Sequence, residues 1–178
     1  EIGFSILLMG SVYSLYAEAV SPEILHLLFA LSYPLGFIFV VIGRSELFTE
    51  HTALAILPVL SNNVKVKDLL ILWAIVFGGN ILGGYIFSLG FVFIGPHIGI
   101  VEVEALHAMA YDFLDYDSWI ILMSALLAGW MMGLLGWLVT SSQETISRIL
   151  IVIFITFTIG FAGLHHCIVG SIEIFSGM

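Results

Sequence analysis

Positive charge is what this sequence has least of. Arg44, Lys65, Lys67 and Arg148 are its only basic Lys or Arg residues, against 13 Asp and Glu, for a net charge of −9. A nucleic-acid surface needs a basic patch, so that class of partner is excluded. Cysteine is nearly absent too. Cys167 stands alone, which excludes an intramolecular disulfide and any zinc site built from several thiolates. Charged residues of both signs make up 10% of the 178 residues, where a soluble domain carries about 25%. No basic stretch precedes the first apolar run, so the mark of a secretory signal is missing. Residue 1 is Glu, and the chain is expected to begin inside a longer protein.

What fills the space is apolar: 61% of the residues are hydrophobic. That is more than one soluble core can bury, so lipid must be the solvent for much of the surface. Five apolar stretches, about 2–20, 24–44, 69–94, 119–140 and 149–165, compare with the roughly 20 residues a span needs. Turn and charge signals separate them: Ser21-Pro22-Glu23, the polar run Ser61 to Asp68, a loop from Pro96 to Ser118, and Ser141 to Arg148. Lys65, Lys67 and Arg148 fall in the 61–68 and 141–148 loops. The loops near 21–23 and 96–118 carry no Lys or Arg. By the distribution of positive charge, 61–68 and 141–148 are expected to be cytoplasmic. The acidic 96–118 loop (Glu102, Glu104, Asp112, Asp115, Asp117) reads as a solvated face.

Two segments do not read as plain spans. Residues 43–51, Gly-Arg-Ser-Glu-Leu-Phe-Thr-Glu-His, bring several charged or titratable side chains after a full-length apolar run. The following run, Thr52 to Leu60, is too short to cross alone. One crossing over 24–60, interrupted at membrane depth by a non-helical loop at about 44–50, accounts for both. Such backbone is tolerated only where protein buries it or it lines a wet cavity. The second segment, Gly163-Leu-His-His-Cys-Ile-Val-Gly170, places two histidines after the fifth run. Interrupted helices in corresponding positions of two halves point to a transport site. The second half lacks a sixth span within these residues. Gly78, Gly79, Gly83 and Gly84 in the third span, and Ala125, Gly129 and Gly133 in the fourth, suit close helix contacts in lipid.

The run Glu46-Leu47-Phe48-Thr49 resembles the Glu-Leu-Phe-Thr loop of the formate/nitrite transporter family. Trp73, Gly79-Asn80 and Gly83-Gly84 resemble that family's third helix, and Ala125 to Ala128 with Trp137 its fourth. Gly163-Leu164-His165-His166 resembles its broken fifth helix, with His166 as the central histidine. The chain differs from the pattern at several places. Arg44-Ser45 stands where Gly-Ala is frequent, and His51, Gly129 and Gly170 each stand where Asn is usual. No Lys lies near the start of span four.

The resemblance implies an all-α polytopic membrane protein with an aquaporin-like inverted repeat of three plus three helices. Its second and fifth helices would be broken, and the sixth is missing from this stretch. A single pore domain is expected over 1–178, with a first repeat at about 1–95 and a second, incomplete one at about 118–178. Also implied are a homopentamer in the prokaryotic inner membrane and a pore, not an enzyme, for a small anion such as formate or nitrite, with no cofactor. Thr49 and His166 would meet the substrate. Tyr33, Phe37, Phe48 and Ile159, with Leu47 of the loop, would form apolar constrictions. Arg44, Glu46 and Asn80 would be structural or charge-pairing groups. Other readings stay open at this point. His166 can be a packing histidine, and Arg44 can pair with Glu46, Glu50 or Glu173 instead of meeting a solute. A neutral-solute pore resembling aquaporins, without their Asn-Pro-Ala repeats, is the alternative function. Adjacent residues point apart, so His165-His166-Cys167 makes a poor metal site.

Overall fold

The computed structural model describes residues 1–178, apart from the side chain of His51. Among the described residues there is no strand. The helices are α1 (Gly3–Tyr16), α2 (Pro22–Ser32), α3 (Pro34–Gly43), α4 (Phe48–Ala55), α5 (Leu57–Leu60), α6 (Val66–Ile98), α7 (Val103–Leu114), α8 (Ser118–Ser141), α9 (Thr145–Phe161) and α10 (Cys167–Ser176). Three stretches are long and apolar enough to cross a membrane: Pro22–Gly43, counted through its joint, Val66–Ile98 and Ser118–Ser141. On α6, Leu82, Ile86, Leu89 and Phe93 are each more than 60% exposed and recur every three or four residues, which places them on one face. An exposed leucine costs nothing where lipid tails replace water. Close packing and hydrogen bonds, not apolar burial, must therefore hold these helices together.

The core lies between α1, α3, α8, α9 and α10, where Ile6, Phe37, Met132, Leu135, Val152, Ile159 and Ile172 are buried. Glycine admits two of the closest approaches. A Cβ on Gly36 would lie 2.7 Å from Ile2 Cα and 2.8 Å from the Glu1 carbonyl oxygen, and one on Gly84 would lie 2.5 Å from Ile172 Cδ1. The other third-span glycines behave differently: a Cβ on Gly78, Gly79 or Gly83 meets nothing within 4 Å inside this chain. In α8, Gly133 and Gly136 face Ala53, Glu50 and Leu54 of α4, while Gly129 is open.

The span 22–43 is kinked at Pro34, whose missing N–H interrupts the helical ladder. Ser5 of α1 fills the gap. Its hydroxyl donates to the Tyr33 carbonyl (2.7 Å) and accepts from the Gly36 N–H (2.8 Å), all three groups being buried. One hydroxyl thus serves both sides of the joint.

Three sequence expectations need correction. The break after α3 is shorter than 44–50: it covers Arg44 to Leu47, and Phe48, Thr49 and Glu50 already form the first turn of α4. Helix can resume at Phe48 because the Asn80 side-chain oxygen accepts its N–H at 2.8 Å, satisfying a donor that a helix start leaves over. Second, the stretch 96–118 is not a plain solvated loop. It holds the last turn of α6 and the whole of α7, whose Ala105, Leu106, Met109 and Ala110 are buried at helical spacing against α1 and α10. Acidic residues on either side hid that stripe. Third, Lys67 and Arg148 lie in the first turns of α6 and α9 and not in the loops before them.

Asn80 also donates from its amide nitrogen to the Glu46 carbonyl at 2.9 Å, so one side chain of α6 fastens the end of the broken segment and the start of α4. Replacing Asn80 by leucine removes both bonds at similar volume. With each lost bond worth about 1 kcal/mol, thermal unfolding in detergent should show Asn80→Leu less stable by about 2 kcal/mol.

Candidate functional site

α4 and α10 are short helices that both start at a break, and their first residues meet. Leu47, extended at φ −106°, caps α4; His166, extended at φ −119°, caps α10. Thr49, in the first turn of α4, lies with its Oγ1 2.7 Å from His166 Nε2. The bonding around His166 fixes its tautomer. Its Nδ1 accepts the Val169 N–H at 3.3 Å, so in the neutral ring the proton sits on Nε2 and is donated to Thr49 Oγ1. The Thr49 hydroxyl proton then remains for another acceptor. Two helix amino termini add their positive dipole ends at the same place.

Aromatic rings continue from this pair. The Phe37 ring stands edge-on to His166, with centroids 5.5 Å apart at 88°. Tyr33 stacks on Phe37 at 5.3 Å and 29°. Ile159 is fully buried, and beside it Gly160 packs against the Tyr33 ring. Tyr33, Phe37, Ile159, Thr49 and His166, widely separated in sequence, are therefore brought into one cluster. Leu47 is buried at its edge. Phe48 departs from the group: its ring packs edge-on against Phe77 of α6, at 5.1 Å and 72°.

Two of the cavities differ in charge. One, of about 530 Å³, is lined by residues of α2, α7 and α9 together with Tyr33, Ile159, His165 and Glu173; its acidic side chains are Asp112, Asp115 and Glu173. The other, of about 290 Å³, holds Arg44 and Arg148 with Glu46 and Glu50. Glu173, considered as a partner for Arg44, thus lines a different cavity. The juxtaposition of Arg44 with Arg148, the chain's two arginines, was not legible in the sequence, because nothing local relates positions so far apart. Arg148 is anchored by two bonds from its guanidinium to the Ser142 carbonyl, at 3.1 and 2.9 Å.

His165 and His166 point apart. His165 uses Nδ1 with Ser124 Oγ (2.9 Å) and Nε2 with the Phe113 carbonyl (3.0 Å). Ser124 also accepts the His165 N–H at 2.9 Å, which ties the second break to α8. Among the described residues, no three His, Cys, Asp or Glu side chains are grouped to hold a metal ion.

A kinked span, two converging half-helices and a histidine–threonine contact between them can be set against known proteins. The family model described as formate/nitrite transporter matches residues 1–178. The chain belongs to the formate/nitrite transporter family. It is 30% identical over 176 residues to the inner membrane protein YfdC of Escherichia coli (strain K12), covering 98% of this chain and 55% of that protein. It is 29% identical over 140 residues to the uncharacterized transporter YrhG of Bacillus subtilis (strain 168), covering 76% and 52%. The chain thus spans about half the length of these curated relatives. Among solved structures, a pentameric formate channel with formate bound superposes with a TM-score of 0.77 at 21% identity, covering 99% of this chain and 69% of that one. An FNT family ion channel gives 0.79 at 19%, covering 98% and 73%. With its family and its apolar helices, the chain is an integral membrane protein.

Membership in the formate/nitrite transporter family gives Arg44 a backbone context. Arg44 caps α3 in the left-handed region, at φ 56° and ψ 39°, where the family pattern frequently has glycine. A side chain there costs about 1 kcal/mol relative to glycine. Arg44→Gly should therefore be more stable than Arg44→Ala by about 1 kcal/mol in detergent melts. A functional change shared by both variants would report on the guanidinium, and one confined to Arg44→Ala on the backbone. His51, another departure from the pattern, has its side chain outside the described residues.

Proposed function

We propose that this chain forms the pore of a channel-like transporter for a small monovalent anion, such as formate, nitrite or a similar weak-acid anion. The observation that carries this reading is the 2.7 Å contact between Thr49 and His166 at two converging helix starts. An isolated anion in a low-dielectric passage is prohibitively costly unless donors and dipoles compensate it. Here the Thr49 hydroxyl can donate to the anion while His166 Nε2–H supports it from behind. Phe37, Ile159 and Leu47 supply apolar walls that exclude bulk water, and Phe48 supports α4 from the α6 side.

The same bonding sets a condition on proton transfer. If the anion takes the Thr49 proton and Thr49 takes the one on Nε2, the ring must first have gained a proton on Nδ1; otherwise an imidazolate would form. That gain displaces the Val169 N–H from Nδ1 and loosens the start of α10. Anion passage and proton passage are thereby linked through one cap. The carboxylates of the larger cavity favour the alternative, an aquaporin-like pore for a neutral small solute, because Asp112 and Asp115 repel anions arriving from that side.

The likeness to pentameric channels supports a homopentamer with one pore per protomer. The two short helices starting at breaks support an inverted repeat, the first half at about 1–95 and the second at about 118–178. The relatives' descriptions as transporters and channels support transport and not catalysis. The inner-membrane relative and the charge distribution support a prokaryotic inner membrane with 61–68 and 141–148 cytoplasmic. Native mass spectrometry should give a five-fold assembly; a stable monomer or tetramer would refute that state.

Flux across a pH gradient in proteoliposomes, at equal protein density, tests the mechanism. His166→Phe should abolish proton-coupled release or uncouple it from flux, with assembly intact. His166→Asn, which keeps a helix-capping oxygen, should retain the fold and show the same transport defect. Thr49→Val should weaken selectivity for formate over glycerol. Unchanged rates and pH dependence in both His166 variants would make the histidine a packing residue.

A further inference from the structure

The larger cavity narrows along one face of α2. His26, Phe29 and Tyr33 line it at steps of three and four residues, leading to the Pro34 joint, and Phe37 continues from there to His166. Tyr33 is the innermost of that stripe. It is 5% exposed, and its hydroxyl has no hydrogen-bond partner. An orphaned hydroxyl at such a depth is unfavourable by about 1–3 kcal/mol, so a buried one on a residue that lines a cavity calls for an acceptor that the resting protein does not supply.

The other tyrosines of the cavity wall sit further out: Tyr13 is half-buried and Tyr116 is exposed, so Tyr33 carries the deep hydroxyl. Ile159, Gly160 and Leu164 are apolar neighbours in the cavity wall. His165 spends both ring nitrogens on Ser124 and the Phe113 carbonyl. Asp112, Asp115 and Glu173 offer acceptor oxygens and, when ionised, repel an anion. The ring that carries the hydroxyl is meanwhile firmly seated. It stacks on Phe37, its carbonyl is held by Ser5 at 2.7 Å, and a Cβ on Gly160 would lie 3.0 Å from its Cβ and Cγ.

We propose that the Tyr33 hydroxyl is an outer hydrogen-bond subsite for the oxygen atoms of the permeating anion, a specificity-determining position ahead of Thr49 and His166. It deepens the transport reading and rests on it. A carboxylate or nitrite oxygen accepts the Tyr33 proton as the solute passes. Tyr33 thus offsets the repulsion of the acidic cavity at the point where the solute leaves it, and is no mere apolar wall.

Initial formate influx into proteoliposomes, measured against formate concentration for the wild-type protein and Tyr33→Phe, tests this. The variant removes one oxygen and keeps the ring contacts. A hydrogen bond to a charged solute predicts a half-saturation concentration about tenfold higher in Tyr33→Phe. The maximal rate should stay within about twofold, because the Thr49–His166 pair is intact. Equal half-saturation in the two proteins overturns the subsite. So does a fall in maximal rate alone, which marks a packing role. A wild-type protein that carries no small weak-acid anion among formate, nitrite and lactate overturns the transport reading and the subsite together, so the two failures are distinct.

Discussion

A broken helix inside a membrane has no water to turn to, and every N–H and C=O it frees must find a partner in the protein. This constraint organises the chain. At the Pro34 joint the partner is Ser5; at the break after α3 it is Asn80; at the break before α10 it is Ser124 with the His166 ring. Each side chain comes from, or reaches to, a different element, so satisfying the backbone also fastens helices together. In lipid, where apolar surface gives little drive to associate, those polar bonds acquire a structural role that a soluble protein would assign to its core.

The same constraint produces chemistry. A helix that begins within the protein must present its first N–H groups to something, and two such beginnings facing each other concentrate donors and dipoles in a small volume. Thr49 and His166 are there because they occupy the first turn and the cap of those helices. His166 has a double duty: Nδ1 closes the start of α10 while Nε2 faces Thr49. Structure and proton chemistry share one ring. A proton cannot enter Nδ1 without releasing a backbone bond, so the protonation state of the site and the integrity of the helix start are read by the same group.

Much of this was legible in the residues. The charged run 43–51 and the histidines after Gly163 stood out because both violate the expectation of an uninterrupted span. Asn80 stood out by resemblance, although its double bond to the loop did not. What escaped notice escaped for physical reasons. Ser5 sits in an apolar run where a hydroxyl can bond its own helix, and its long-range role depends on Pro34 lying opposite. α7 was hidden because acids flank its apolar stripe on both sides. The start of α4 moved to Phe48 because the donor that allows it is satisfied from α6, which local sequence does not record. Arg44 and Arg148 meet in one cavity through the packing of α3, α8 and α9, a relation carried by tertiary structure alone.

The seam between α1 and α3 has a further consequence. At Gly36 the backbones of the two helices stand so close that even a methyl group would overlap Ile2 Cα and the Glu1 carbonyl. No water molecule, and so no file of them, fits between the two backbones at that contact. Protons hop along such files far faster than ions diffuse. Closed to water, the seam offers protons no such path between α1 and α3 at Gly36.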